Sequence, residues 1–173
     1  QQSGHYGMAS RARAIDTIDV RPAFTALDAA ALDLRFTGVP ADAMLREVLA
    51  AGLAGKVAAV SSFGAESAVL LDLVARADPA TPVIFVDTLK MFPETLAYRD
   101  ALVRQLGLTN LVVAKPDPVA LEARDASELR WSYDPDGCCE IRKTAPLAAA
   151  LVGYDAWISG RKAFQASTRS ALP

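Results

Sequence analysis

The chain has 173 residues, with 18 Lys and Arg against 20 Asp and Glu, one His and two Cys; that is length for one domain with a core of its own, and 52% apolar with 22% charged carries no signature of disorder. A net charge of -2 argues against a nucleic-acid partner held by bulk positive field, and no apolar run approaches the ~18 residues of a membrane span. Two cysteines that are neighbours in sequence cannot staple a secreted mini-protein, so a cytoplasmic protein is the expectation, with no membrane and no nucleic acid among its partners.

Residues 1–7, QQSGHYG, read as an expression-tag remnant ahead of a native start at Met8. Setting His5 aside leaves no histidine, which removes Ser-His-Asp and Cys-His nucleophile activation within this chain, and every His-ligated metal. Chemistry then falls to carboxylates, Lys, Arg, hydroxyls, backbone amides and two thiols. Residues 8–55 read as an N-terminal helical segment packed on the core. Asp28 to Phe36 stops at Gly38, and Pro40 to Ala51 has Pro near its start and Gly52 at its end.

From residue 56 to 173 short apolar runs alternate with helices, and this stretch reads as the α/β core. Val57 to Val60 is a buried strand, and Ala68 to Ala75 an almost wholly apolar helix. Val83 to Asp87 is the clearest strand; Pro93 to Leu106 is a helix with a stripe at Tyr98, Leu102 and Leu106 and Gly107 as its stop. Leu111 to Ala114 is a third strand. Residues 116–137 are Pro- and Asp-rich and irregular, with a helical turn around Val119 to Arg124. A helix begins near Cys138, restarts at Pro146 and ends at Leu151 with Gly153 as cap; Asp155 to Ser159 is the fourth strand, followed by a polar tail.

This alternation predicts right-handed crossovers and a mainly parallel sheet with helices on both faces, an α/β Rossmann-like architecture. Ligands in such sheets bind outside the carboxyl ends of the strands, which nominates the segments after Val60, Val86 and Ile158. After Val60, Ser61-Ser-Phe-Gly-Ala-Glu-Ser67 offers hydroxyls, a glycine and helix-start N–H groups as an anion cradle. The same residues also suit a plain capped turn, and they match neither standard nucleotide fingerprint. After Val86, Asp87-Thr-Leu-Lys-Met-Phe-Pro-Glu-Thr95 puts Thr88 and Lys90 at a strand end, suited either to a ligand or to a turn that Asp87 caps; Phe92 reads either as core or as a surface for an adenine. Ser159-Gly160-Arg161-Lys162 suits a phosphate or sulfate group, or a solvated basic turn.

Asp134-Pro-Asp-Gly-Cys138-Cys139-Glu-Ile-Arg-Lys143 is the most informative stretch. With Asp136 as N-cap, both thiols sit in a first helical turn, where the dipole and the Arg142 and Lys143 charges one turn on favour thiolate. Soft thiolate donors without histidine favour iron–sulfur or zinc, and thiols about 100° apart around a helix suit a large cluster better than one compact ion. Buried structural cysteines and a vicinal disulfide are the competing readings. A cubane cluster takes four cysteines; this chain has two.

Taken in order, Ser61 to Ser67, Asp87-Thr-x-x-x-Phe-Pro-Glu-Thr95, Cys138-Cys139-x-x-Arg-Lys143 and Trp157-Ile-Ser-Gly-Arg-Lys162 through Gln165 resemble assimilatory adenylyl-sulfate reductase, of the phosphoadenylyl-sulfate reductase family, over roughly residues 40–173. The resemblance implies an adenine nucleotide alpha-hydrolase-like fold, a nucleotide-binding role for 56–173, and thioredoxin-dependent reduction of adenylyl sulfate to sulfite and AMP in sulfate assimilation. It implies a phosphate loop at Ser61, Ser62, Phe63, Gly64, Ala65 and Glu66, with Thr88, Leu89 and Phe92 near the adenosine. Lys143, Gly160, Arg161 and Lys162 would meet the phosphosulfate, with Lys143 supporting catalysis. Cys138 and Cys139 match two ligands of a [4Fe-4S] cluster, the pair that separates adenylyl-sulfate enzymes from most relatives acting on the 3′-phosphorylated substrate.

The family's second cysteine pair and its nucleophilic cysteine would lie beyond Pro173, so the resemblance implies that this chain alone binds nucleotide without turning it over. The competing functions are an ATP pyrophosphatase or sulfate adenylyltransferase-type enzyme, a reductase specific for the 3′-phosphorylated substrate, and a non-catalytic nucleotide- or redox-sensing module. Whether the protein forms a homo-oligomer stays open in the sequence.

Overall fold

The computed structural model describes residues 24–160. The tag-like residues 1–7, Arg161, Lys162 and the polar tail lie outside the described residues. In chain order the elements are α1 (Ala26–Phe36), α2 (Ala41–Ala50), β1 (Val57–Val60), α3 (Ser67–Ala77), β2 (Val83–Val86), α4 (Pro93–Leu106), β3 (Leu111–Ala114), α5 (Pro118–Asp125), α6 (Arg130–Tyr133), α7 (Pro135–Cys139), a π-helical turn (Glu140–Thr144), α8 (Ala145–Leu151) and β4 (Ala156–Ser159).

The helices begin where local chemistry supplies a start. At α1 the Asp28 N–H donates to Thr25 Oγ1, while Asp28 Oδ2 accepts from the Thr25 N–H at 2.8 Å and from its hydroxyl at 2.6 Å. Those bonds from Thr25 hold the Asp28 carboxyl below its usual range. α4 takes Pro93 in its first turn, and its last turn closes on Gly107 at φ 68°, with the Leu108 N–H returning to the Val103 carbonyl at 3.1 Å.

All four strands are parallel, in the order β3-β2-β1-β4. Side chains alternate across a strand, so Ala59, Val83 and Phe85 pack with Leu45, Leu71, Val74 and Leu102 from α2, α3 and α4. Ala58, Ile84 and Ala114 face the other way, under Leu147, Ala150 and Leu151 of α8 and its end. Each face meets helices, which is why β1 and β2 are apolar at every position. Leu71 is wholly buried; Leu71→Ala is expected to cost about 2–5 kcal/mol, read as a lower urea midpoint at unchanged m-value.

Several boundaries differ from the sequence reading. Residues 116–137 are not irregular: they carry α5, α6 and α7, two of which start on an Asp-Pro pair. The Asp117 carboxylate accepts from the Val119 N–H at 3.1 Å, and the Asp134 carboxylate from the Gly137 N–H at 2.9 Å. The cap of the cysteine helix is therefore Asp134, not Asp136, and the thiols sit just past the first turn. That helix does not restart at Pro146: it continues through the π turn into α8 and is capped by Val152, not Gly153. Tyr98 is exposed, so Leu102 is the buried residue of α4, flanked by Leu96, Val103 and Leu106. Asp155 lies outside β4; its carboxylate accepts from the Lys56 N–H at 2.7 Å and ties the start of β4 to that of β1.

The chain steps outward from β1 to β2 to β3, then crosses back to lay β4 on the far side of β1. The strand order reverses between β1 and β4. In doubly wound sheets ligands bind at that reversal, at the carboxyl edge.

Candidate functional site

A cleft of about 900 Å³ opens at this reversal. Ser61, Ser62, Glu66 and Ser67 line it from the β1 exit and the start of α3, Leu147 and Leu151 from α8, and Trp157, Ser159 and Gly160 from β4. Ser61, Ser62, Glu66 and Ser67 after β1 thus meet Ser159 and Gly160 in one concavity, whereas the residues nominated after β2 and in the cysteine segment are not among its lining.

The β1 exit loop has a backbone that the sequence does not announce. Phe63, not Gly64, takes the left-handed conformation, at φ 55°. Ser61 is buried and its hydroxyl accepts from the Phe63 N–H at 3.0 Å, which closes the turn. The Phe63 ring leaves the cleft and enters the core, edge-on to Phe85 with centroids 5.7 Å apart. Gly64 does not make the room inside the protein that its type suggests: a Cβ there would meet only Ser62 Oγ, at 3.7 Å. Ser62, Gly64, Ala65 and Glu66 are exposed. Neither Ser61 nor Ser62 caps α3, and Glu66, which precedes it, makes no side-chain cap bond, so the first turn of an 11-residue helix faces the cleft without a side-chain cap.

At the neighbouring β2 exit, the Asp87 carboxylate accepts from the Leu89 N–H at 2.9 Å and Thr88 Oγ1 from the Lys90 N–H at 3.3 Å. Leu89 is held at φ 60°. Thr88 is buried, Leu89 is half exposed, and Phe92 is 76% exposed, which excludes it from the core. The Lys90 ammonium pairs with Glu128, whose carboxyl this lysine holds below its ordinary range. Lys90 is therefore engaged within the protein.

The cysteine segment lies beside this loop. Cys138 is partly exposed, Cys139 is exposed, and neither is in a disulfide. Lys143 is exposed, whereas Arg142 is 3% exposed. The Arg142 guanidinium donates from Nε and Nη2 to Asp125 Oδ2, at 3.0 and 2.7 Å, and from Nη1 to the Thr88 carbonyl at 2.9 Å. Its charge is neutralised by Asp125, so it does not serve the thiols as the sequence reading expects. Asp125, on the inner face of α5, is held below the usual carboxylate range by Arg142. This buried pair carries no local sequence signal, since its members are 17 positions apart.

Two adjacent thiols that both reach solvent suit two corners of a thiolate-held cluster. Among the described residues no group of three or more His, Cys, Asp or Glu is placed to hold a metal ion.

The phosphoadenosine phosphosulfate reductase domain matches residues 56–173. An adenosine 5'-phosphosulfate reductase from Mesorhizobium japonicum is 54% identical over 118 residues, covering 68% of this chain and 46% of that protein. Another with that name, from Chelativorans sp. (strain BNC1), is 45% identical over 156 residues, covering 88% of this chain and 63% of that protein. The chain thus spans about half to two thirds of the length of these relatives. In fold it resembles the crystal structure of phosphoadenylyl-sulfate (PAPS) reductase from Candida auris in its phosphate complex, with a TM-score of 0.62 at 21% identity over 81% of this chain and 70% of that one. On the domain match across 56–173 and the identity to these relatives, the chain belongs to the phosphoadenosine phosphosulfate reductase domain family.

Proposed function

We propose that this chain is the nucleotide-binding body, residues 56–173, of a thioredoxin-dependent adenylyl-sulfate reductase. The observation that carries the reading is the cleft at the strand-order reversal. It is lined by the Ser61 to Ser67 loop and by Gly160, with the exposed Cys138 and Cys139 on the helix that leads into its α8 wall. The positive dipole end of α3 faces the cleft for a phosphate, while the Ser67 and Ala68 N–H groups at its start donate to the Gly64 and Ala65 carbonyls, at 2.8 and 3.3 Å. Ser62 and the backbone of Phe63 to Glu66 shape that cradle; Ser61 and the Phe63 ring hold it from beneath. Leu89 and Phe92, on the exit loop of the neighbouring strand β2, are accessible for the adenosine, and Thr88 sets their loop. Lys143 and Gly160, together with Arg161 and Lys162, meet the phosphosulfate.

In the reaction a thiolate from a segment beyond Pro173 attacks the sulfate sulfur. The new S–S bond forms as the S–O bond to AMP breaks, and the leaving phosphate takes up the negative charge. The α3 dipole, Lys143 and the basic Gly160 to Lys162 segment stabilise that charge without an imidazole. A dithiol partner, thioredoxin, then reduces the enzyme thiosulfonate and releases sulfite. Cys138 and Cys139 would supply two of the four thiolate ligands of a [4Fe-4S] cluster, whose charge would then contribute to the field around the bound nucleotide. No described helix is long and apolar enough to cross a membrane; the cytoplasmic place in sulfate assimilation belongs to the proposed reading.

Gly64→Ala tests the loop. Its Cβ meets no protein atom closer than 3.7 Å, so stability is expected to stay within about 0.5 kcal/mol. AMP affinity of the complete gene product, measured by calorimetry, is expected to fall roughly tenfold, because the methyl group fills space at the phosphate. Unchanged AMP affinity, or release of pyrophosphate from ATP, overturns the assignment.

A further inference from the structure

Asp125 joins two ends of the cysteine-bearing segment to one point. One of its oxygens, Oδ2, takes Nε and Nη2 of Arg142, three residues after Cys139. The other, Oδ1, accepts from the Arg130 N–H at 2.9 Å. Arg130 Nη2 in turn donates to Asp134 Oδ2 at 2.6 Å, and Asp134 caps the cysteine helix through the Gly137 N–H. That carboxyl is held below its usual range, chiefly by the Gly137 N–H. The helix carrying Cys138 and Cys139 is therefore held before and after the thiols by bonds that lead back to one buried carboxylate. The remaining donor of Arg142, Nη1, reaches the Thr88 carbonyl of the β2 exit loop, 54 positions away.

A buried ion pair is poorly explained by stability alone, because apolar side chains of the same volume often serve a fold as well. What this one adds is direction. A guanidinium presents a planar fork of donors that can meet a carboxylate along one edge and a carbonyl along another in fixed directions, whereas an ammonium is a compact charge on a flexible stem and fixes neither direction. The π turn at Glu140–Thr144 turns Ile141 and Arg142 inward while Lys143 stays exposed.

We propose that Arg142, with Asp125 as its counter-ion, is a positioning residue that fixes the cysteine pair relative to the Thr88–Leu89 loop. The nucleotide then meets a loop and a thiol pair already set at one separation. The role deepens the nucleotide reading above and rests on it for its consequence in binding, but the linkage itself is a property of the protein without nucleotide.

The test compares Arg142→Lys and Arg142→Gln with Glu140→Gln, which breaks the exposed Arg124–Glu140 pair nearby. In the complete gene product without nucleotide, hydrogen exchange is expected to quicken at least tenfold at the Leu89, Lys90, Cys138 and Cys139 amides in both Arg142 variants. The β1 and β2 amides are expected to keep their rates, and Glu140→Gln to match the unaltered protein throughout. AMP affinity is expected to fall roughly tenfold in Arg142→Lys and further in Arg142→Gln. Exchange that quickens equally across β1 and β2, or loop and cysteine amides that do not respond, overturns the positioning role. Failure of the unaltered protein to bind AMP overturns the nucleotide reading instead, and the exchange result still decides the linkage.

Discussion

Substituting Asp125 by alanine is expected to lower the midpoint of thermal unfolding by roughly 10 °C. The variant leaves the Arg142 guanidinium buried without its anion, and frees the Arg130 N–H as well. Calorimetry or circular dichroism on the purified protein reads the shift directly; a change under about 3 °C would show the pair to be dispensable. The pH dependence follows from the same residues. Asp125 and Asp134 are held below the usual carboxylate range in the folded protein, so each contributes stability that is fully present above its unfolded value of about 3.9. That contribution is lost as pH falls through the lower folded value, because the unfolded chain then binds more protons. Denaturation followed from pH 7 to pH 3 is expected to show stability falling at the acid end, and Asp125→Asn is expected to flatten that fall.

Cys138→Ser and Cys139→Ser carry the largest expected effect on chemistry. In the complete gene product prepared without oxygen, each is expected to reduce bound iron from about four per chain to none. Release of sulfite from adenylyl sulfate is expected to fall by roughly 100-fold or more. Both side chains reach solvent and neither belongs to a core cluster, so the thermal midpoint of the cluster-free protein should move little. Iron and sulfide analysis with an absorption spectrum decides the matter. Zinc, or no metal, in the unaltered protein overturns the cluster, and a reversible vicinal disulfide in its place supports a redox-sensing module.

The sheet is legible in the sequence because each strand is a short apolar run between turn residues, and the alternation with helices leaves parallel pairing as the consistent arrangement. The carboxyl-edge rule then points to the loops after β1, β2 and β4 before any motif is weighed; the cleft lies between the first and the last, and no residue of the β2 exit lines it. Less visible is what needs a partner distant in the chain. Asp125 sits in Ala123-Arg-Asp-Ala126, which reads like a solvated helix face, and its burial depends on Arg142 arriving from the π turn. The helices within 116–137 did carry a local signal: Asp117-Pro118 and Asp134-Pro135 each pair a cap with a first-turn proline. Density of Pro and Asp hides it, since the same residues make irregular loops. The left-handed turn at Phe63 is illegible for a different reason. A glycine stands next to it, and residue type alone assigns the unusual geometry to the wrong neighbour.

Phe63 and Leu89, in the exit loops of β1 and β2, both hold a conformation that costs a side-chain-bearing residue about 1–2 kcal/mol. Heat-selected variants of this protein would therefore collect Gly or Asn at 89, where half the side chain is already in water and relief of strain comes at little loss of packing. Such variants would last longer at high temperature and recognise their ligand less well, so endurance and recognition would trade against each other at one backbone torsion.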